Sequence, residues 1–273
     1  MGILLSFLEV IASFILLLFA LKFLVPKKIY SYSLQDVSSL VYKYRVAIIP
    51  LFVVQLVQIF EVLVLDEIAT GWIASRMGKD YFTQIFFSIE GDIVSAIALW
   101  THDGSSSLFH DGLFYFFIGV YLLLYPFLIW FIPVYFILED SRASRMGLYI
   151  FPAMYLMQLP FLLFFPVTNF YTYLGLDFAF DHISSQFGTS YYMVTTVNNC
   201  FPSLHVAIPF AVMFVSFKSP NKKLKWFTVP SAILITISTM YLAIHWVIDV
   251  IGGILLAICG FVLLNWIFGK RES

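Results

Sequence analysis

The chain has 273 residues, of which 61% are hydrophobic and only 11% charged, with a formal net charge of -1. An ordinary soluble domain carries about 25% charged residues, so this composition excludes a soluble globular enzyme and a basic nucleic-acid binder and points to an integral membrane protein. Two cysteines, Cys200 and Cys259, are too few for a disulfide framework and too far apart for a CxxC metal clip.

A helix needs about 20 apolar residues to cross the hydrocarbon. Apolar runs occur at Ile3 to Val25, Val46 to Leu65, Gly112 to Leu138, Gly147 to Val167 and Phe201 to Phe217, followed by one run from Trp226 to Gly269. The first run lacks a basic n-region and a small-residue cleavage site, and reads as a retained helix. The last run would be about 66 Å long as one helix, roughly twice the bilayer core, so it has to fold back, with the polar pair Ser238 and Thr239 as the expected place. The predicted fold is an all-α polytopic transmembrane helix bundle of about seven spans: a six-helix core preceded by one N-terminal helix. Residues 1–45 form the N-terminal transmembrane helix and a cytoplasmic loop, and residues 46–273 the principal membrane domain.

Basic residues in short loops stay cytoplasmic. Lys27, Lys28, Lys43 and Arg45 fall in the first loop, Arg142 and Arg145 in the third, Lys218, Lys222, Lys223 and Lys225 in the fifth, and Lys270 and Arg271 at the C-terminus. Seven spans place all of these on one side, which predicts a cytoplasmic C-terminus. The alternate loops hold only Arg76 and Lys79, and most of the acidic residues. One outer segment, Tyr81 to Trp100, is helix-like but carries Glu90-Gly91-Asp92 at its middle. A charge at mid-bilayer costs about 2.5 to 3.5 kcal/mol or more, so an interfacial or re-entrant helix is expected there.

Chemistry concentrates in two segments. In IHWVIDVIGG, His245 and Asp249 are four residues apart and share a helix face. A carboxylate in that position fixes the imidazole tautomer and frees the other ring nitrogen to act as base or nucleophile. In NNCFPSLHVA, Pro202 suits the first helical position, leaving the N–H groups of Ser203, Leu204 and His205 directed at an anion. Each segment alone also reads as a capped helix with an ordinary interfacial histidine. The basic-loop topology, however, puts His205, His245 and Asp249 on one membrane face at two helix ends, and helix bundles converge such residues on an interior cavity. The set suits acid–base chemistry in phosphoryl transfer.

FPSLH (Phe201 to His205) and STMYLAIHWVIDV (Ser238 to Val250) resemble the second and third signature motifs of the type 2 phosphatidic acid phosphatase superfamily. The PSLH form, together with SIEGDIVSAI, YPFLIWFIPVYF and FFPVTNFY upstream, is similar to the branch containing inositol phosphorylceramide synthase and archaeal relatives. The resemblance covers roughly Phe87 to the C-terminus. It implies a phosphatidic acid phosphatase-like catalytic domain with a phosphohistidine mechanism. His245 is then the nucleophile, Asp249 its orienting acid, His205 the donor to the leaving oxygen, and Ser203 a phosphate-binding residue. No cofactor and no metal are implied, and the partners are a lipid phosphate substrate and membrane lipids, with no nucleic acid.

The chain departs from that pattern at its cations. Thr239 stands where the third motif has arginine, no K-x6-R-P motif is present, and the matching end of the fourth helix carries Asn169. Losing guanidinium clamps removes bidentate phosphate binding. Neutral donors are the expected replacements, Asn198, Asn199, Asn169 and Thr239 with Tyr171 and Tyr173, and Arg76 or Lys79 the charged alternatives. A site with less positive charge suits a phosphodiester or a phosphate bearing a bulky lipid.

His102, Asp103, His110 and Asp111 fit no helix face and read as a loop before a metal site, and His182 reads as a surface histidine. The combined expectation is an integral membrane phosphoryl-transfer enzyme with its site on the extracytoplasmic face, either a phosphatase or an inositol phosphorylceramide synthase-like phosphotransferase. A lipid-binding or lipid-scrambling protein without activity is the alternative, motivated by the missing arginines.

Overall fold

The computed structural model describes residues 22–102, 108–176 and 197–269. Residues 1–21 of the expected first helix, residues 103–107 and His182 lie outside the described residues; the rest of the expected Thr101 to Gly112 loop is helical, with His102 closing one helix and His110 and Asp111 in the first turn of the next. All long elements are helices: α1 (Leu34–Phe60) runs through a π-helical turn (Glu61–Leu65) into α2 (Asp66–Met77), followed by α3 (Tyr81–His102). Next, α4 (Leu108–Gly119) passes through a second π-helical turn (Val120–Leu124) into α5 (Tyr125–Glu139), and α6 (Arg142–Phe164) and the short α7 (Phe170–Leu174) follow. Last come α8 (Leu204–Ser216), α9 (Lys222–Tyr241) and α10 (Val247–Gly269). Five stretches among the described residues are long and apolar enough to cross a membrane, and α8 is a shorter apolar helix.

The α1–α2 rod is continuous for 44 residues, Leu34–Met77, about 66 Å at 1.5 Å per residue. It starts at Leu34, well before the expected Val46, because Ser33 and Asp36 form a capping box that satisfies two of the N–H groups a helix start leaves unpaired. The fold-back in the last apolar run falls at Leu242 to Trp246, just past the expected Ser238 and Thr239. There the Thr239 carbonyl accepts from the N–H groups of both Ile244 and His245, at 3.0 and 3.3 Å, and Ala243 takes a left-handed φ of 53°.

The core is centred on α8, which packs against α6, α9 and α10. Its Val206, Ala207, Ala211, Val212 and Val215 are buried. Small side chains let helix backbones approach, and that close packing replaces the hydrophobic drive that lipid does not supply. At Gly253 in α10 the approach is to backbone: a Cβ would sit 2.6 Å from the Ser203 carbonyl oxygen.

The two ends of the bundle differ. At the end where α5 meets α6 and α8 meets α9, the Glu139 carboxylate accepts from the hydroxyls of Tyr135, Ser141 and Ser219. Lys28 donates to the Glu139 carbonyl at 2.8 Å and Lys43 pairs with Asp140 at 2.5 Å. Partial burial opposes ionisation of Asp140, but the Lys43 and Tyr44 donors prevail and hold its carboxyl below the usual carboxylate range.

Helix α3 lies across the opposite end. Phe82 meets Phe165 just past α6, Phe86 meets Phe201 just before α8, Glu90 bonds to Val247 at the start of α10, and Thr101 bonds to the Tyr241 carbonyl at the end of α9. One helix touching four core-helix termini in succession runs over the bundle's end instead of alongside its members. Its length and composition would allow it to cross a membrane. Glu90, costly in lipid, is 5% exposed and spent on the α10 backbone.

Candidate active site

The Leu242 to Trp246 reversal and the start of α8 face each other at the α3 end of the bundle. His245 Nδ1 is 3.2 Å from Asp249 Oδ2. The same carboxylate oxygen accepts the Trp246 N–H at 3.0 Å, so Asp249 both caps its own helix and orients the imidazole. His245 Nε2 lies 3.2 Å from His205 Nδ1, and His205 Nε2 is 2.8 Å from the Tyr121 hydroxyl. The result is one unbroken line of Asp249, His245, His205 and Tyr121. Its members come from α10, the reversal, α8 and the π-turn between α4 and α5. His205 is also flanked by the rings of Tyr121 and Tyr125, with centroids at 4.7 and 4.4 Å.

Helix α8 begins at Leu204 with Ser203 as its N-cap, so Pro202 precedes the helix instead of opening it as the sequence suggested. No side chain caps α8, and its first-turn N–H groups have no intrahelical acceptor. Leu204 and His205 line a cavity of about 410 Å³, and the helix N-terminus there offers backbone donors and a partial positive charge to an anion. In contrast, α10 is closed to ligand: Glu90 takes the N–H groups of Val247 and Ile248 at 2.7 and 3.1 Å.

The remaining expected binding residues divide. Asn169 and Asn199 line the cavity beside His205 and His245, although the Asn169 side chain is already engaged, accepting from Thr172 N and donating to the Tyr171 hydroxyl. Asn198 lines a separate cavity with Lys79, Asp80 and Thr168. Ser203 and Thr239, expected to bind substrate, lie behind the cavity wall. Both residues are fully buried and neither lines the cavity. The Ser203 backbone N–H donates to the Asp249 carbonyl, and Thr239 Oγ1 turns back to the Thr236 carbonyl. The Ser203 hydroxyl has no hydrogen-bond partner among the described residues.

Arg76 stacks over Trp72 at 4.4 Å and Lys79 faces the second cavity. Among the described residues, no lysine or arginine lines the cavity that holds the histidines.

Donor atoms of Cys200, His245 and Asp249 lie within 4.8 Å of one another. The Cys200 sulfur is 3.6 Å from the Ile244 carbonyl as a donor. Burial, with the nearby Asp249 carboxylate, pushes the thiol well above its usual range. A protonated thiol is a poor metal ligand and a poor nucleophile, so these residues fit an acid–base site better than a metal centre.

Sequence reasoning did not single out Tyr121, Tyr125, Gln158 or Trp246 for the site. Trp246 is fully buried and donates its indole N–H to the Thr168 carbonyl at 2.9 Å, tying the reversal to the segment after α6. Its position next to His245 was the only signal available.

Residues 166–273 match the family model of the PAP2 superfamily. The matched region holds both histidine segments and leaves α1 to α6 outside it. No curated protein and no solved structure matches the chain.

Proposed function

We propose that this membrane protein is a phosphoryl-transfer enzyme of the phosphatidic acid phosphatase type, acting on a lipid phosphate or phospholipid headgroup through a phosphohistidine at His245. The observation that carries the reading is the line of hydrogen bonds from Asp249 through His245 and His205 to Tyr121, set beside the uncapped start of α8. The PAP2 superfamily match over both histidine segments supports it.

In the proposed reaction Asp249 accepts a hydrogen bond from the Nδ1–H of His245, which holds the tautomer whose Nε2 carries a free lone pair. That nitrogen attacks phosphorus as the bond from phosphorus to the lipid oxygen breaks. His205, as imidazolium, delivers its Nδ1 proton to the departing oxygen, while the Tyr121 oxygen accepts from its Nε2–H. In the second half His205 removes a proton from water or another hydroxyl, which attacks phosphorus and releases His245. General acid–base assistance of this kind contributes about 10² to 10⁴ in rate. The imidazoles are 3.2 Å apart, and a near-attack distance alone is about 3 to 3.5 Å, so they part as the phosphoryl group enters between them.

Charge stabilisation comes from the His205 imidazolium, the α8 N–H groups and Asn199. With no lysine or arginine among the described lining residues, a singly charged phosphodiester is the better substrate. The basic residues cluster at the end of the bundle opposite the site, which supports an extracytoplasmic site and a cytoplasmic C-terminus. A reporter fused to the C-terminus tests that orientation.

The decisive assay offers purified protein a lipid phosphomonoester and a phosphodiester, with and without a polyol acceptor such as inositol. The diester is expected to turn over faster, and His245→Ala to abolish both reactions. Phosphoryl transfer to inositol in place of water would support the inositol phosphorylceramide synthase-like version. Turnover surviving His245→Ala would remove the nucleophile assignment.

A further inference from the structure

The cavity has a second polar wall that the chemistry above does not use. Gln55, Gln58 and Glu61 contribute from α1 and its π-turn, and Tyr155 and Gln158 from α6. Glu61 and Gln158 are 1% and 2% exposed. Two acceptor atoms on this wall, Glu61 Oε1 and Gln158 Oε1, have no hydrogen-bond partner. The Gln158 amide is oriented by its own donor, since Nε2 holds the Pro202 carbonyl at 2.7 Å, which leaves Oε1 as the free atom. Tyr155 reaches only the other Glu61 oxygen, at 3.4 Å.

A buried carboxylate without a counter-charge is costly unless a ligand supplies one. Two unpartnered acceptors on side chains that line the cavity suit a ligand that donates hydrogen bonds, and an ionised carboxylate with no cation among the described lining residues suits one that is positively charged. The rings of Tyr121, Tyr125 and Trp130 line the same cavity, and aromatic faces also favour a cation. Both π-turns contribute to the wall, through Glu61 and Val62 and through Tyr121 and Leu122. Such turns interrupt a helix at a cost and concentrate at functional sites.

We propose that Glu61 and Gln158 form a subsite for a primary ammonium group carried on the headgroup of the lipid that the histidines act on. The Gln158 bond to Pro202, just before the α8 N-cap, ties this subsite to the phosphate end of the cavity. An aminoalkyl phosphodiester would place its phosphate at the start of α8 and its ammonium at Glu61. The assignment of the phosphate end rests on the proposed function, whereas the ammonium subsite stands on the α1 and α6 wall alone.

The test is equilibrium binding of radiolabelled dihexanoyl phosphatidylethanolamine and dihexanoyl phosphatidylglycerol to the full-length protein in maltoside micelles, followed by turnover of each. The ethanolamine lipid is expected to bind about 10- to 100-fold more tightly, the range of a hydrogen bond between charged groups. Glu61→Gln should abolish that preference and leave binding of the glycerol lipid unchanged. N-acetylated phosphatidylethanolamine, which lacks the charge, should bind the wild-type protein like the glycerol lipid, an arm that needs no variant. Equal binding of the two lipids by the wild-type protein, or a preference that persists in Glu61→Gln, would overturn the proposal. Free ethanolamine should compete only in large excess, and competition at the lipid's own concentration would overturn the headgroup assignment in favour of a soluble amine. Failure of the histidine mechanism would appear separately, as turnover that survives His245→Ala with the binding preference intact.

Discussion

Glu90 and Val247 are joined by a 2.7 Å hydrogen bond from the Val247 N–H to the Glu90 carboxylate, across 157 positions of sequence. The second Glu90 oxygen takes Ile248 N–H, so one side chain from α3 holds the first turn of α10, the turn that carries Asp249 and follows directly on His245. In the proposed mechanism Glu90 is thereby a positioning residue. Glu90→Ala is expected to leave two buried N–H groups unpaired at about 1 to 3 kcal/mol each and to tilt the His245–Asp249 pair. Glu90→Gln keeps one acceptor oxygen and should recover part of the loss. The discriminating readout is a kcat that falls about 10-fold or more at near-constant KM, with partial rescue by glutamine. A change confined to thermal stability would assign Glu90 a purely structural role.

Tyr121 provides a sharper test of the proton line. Its hydroxyl is 2.8 Å from His205 Nε2, and its ring stacks on the same imidazole. Tyr121→Phe keeps the stacking and removes only the oxygen. A hydrogen bond to a charged partner is worth about 1.5 to 3 kcal/mol, so kcat is expected to fall about 10- to 100-fold with the protein's stability nearly unchanged. Steady-state kinetics with a lipid phosphodiester measures it, and unaltered kcat would take Tyr121 out of the acid's environment.

How much of this was legible in the sequence follows the range of the interactions. His245 and Asp249 stand at a fixed four-residue spacing, and the Pro-Ser-x-His segment announces a helix start, so both halves of the candidate site could be read locally. Their approach could be inferred from topology, because the basic residues assigned both helix ends to one side. Glu90 was visible only as an anomaly, a charge in an apolar helix, and its partner lies 157 positions away. Ser203 and Thr239 occupy motif positions, but the direction of a side chain at a turn depends on backbone geometry that residue spacing does not specify. Glu61 and Gln158 come to line one cavity only through the packing of α1 on α6. The π-turns that aim Glu61 and Tyr121 inward have no clear sequence signature.

Cys200 separates an acid–base site from thiol or metal chemistry. Its sulfur lies with His245 and Asp249 donors inside 4.8 Å, but burial and the Asp249 carboxylate push the thiol well above its usual range. A raised pKa keeps the thiol protonated at neutral pH, and the thiolate grows only as pH climbs past that raised value. Cys200 is therefore expected to resist alkylation at pH 8 in the native protein and to react on unfolding. Cys200→Ser, which preserves a donor toward the Ile244 carbonyl, should retain activity within a few-fold. Loss of turnover together with loss of bound zinc in that variant would establish a metal centre.

Gly253 controls how closely the two halves of the site approach. A Cβ there would stand 2.6 Å from the Ser203 carbonyl oxygen and 3.0 Å from Val206 Cβ, and neither neighbour can swing away, since one is backbone and the other sits next to it in the first turns of α8. Gly253→Ala therefore has to move α8 away from α10 and carry His205 away from His245. Overpacking of this kind costs about 1 to 3 kcal/mol, and a misplacement near 1 Å in a catalytic constellation costs about 100-fold in rate. Activity is expected to fall much further than the folded fraction measured by thermal unfolding in the same micelles. The same substitution at Gly71, whose Cβ would meet nothing within 4 Å, serves as the control and should leave turnover unchanged. If Gly253→Ala lost activity only in proportion to its folded fraction, the spacing between α8 and α10 would not be what sets the geometry of the two histidines.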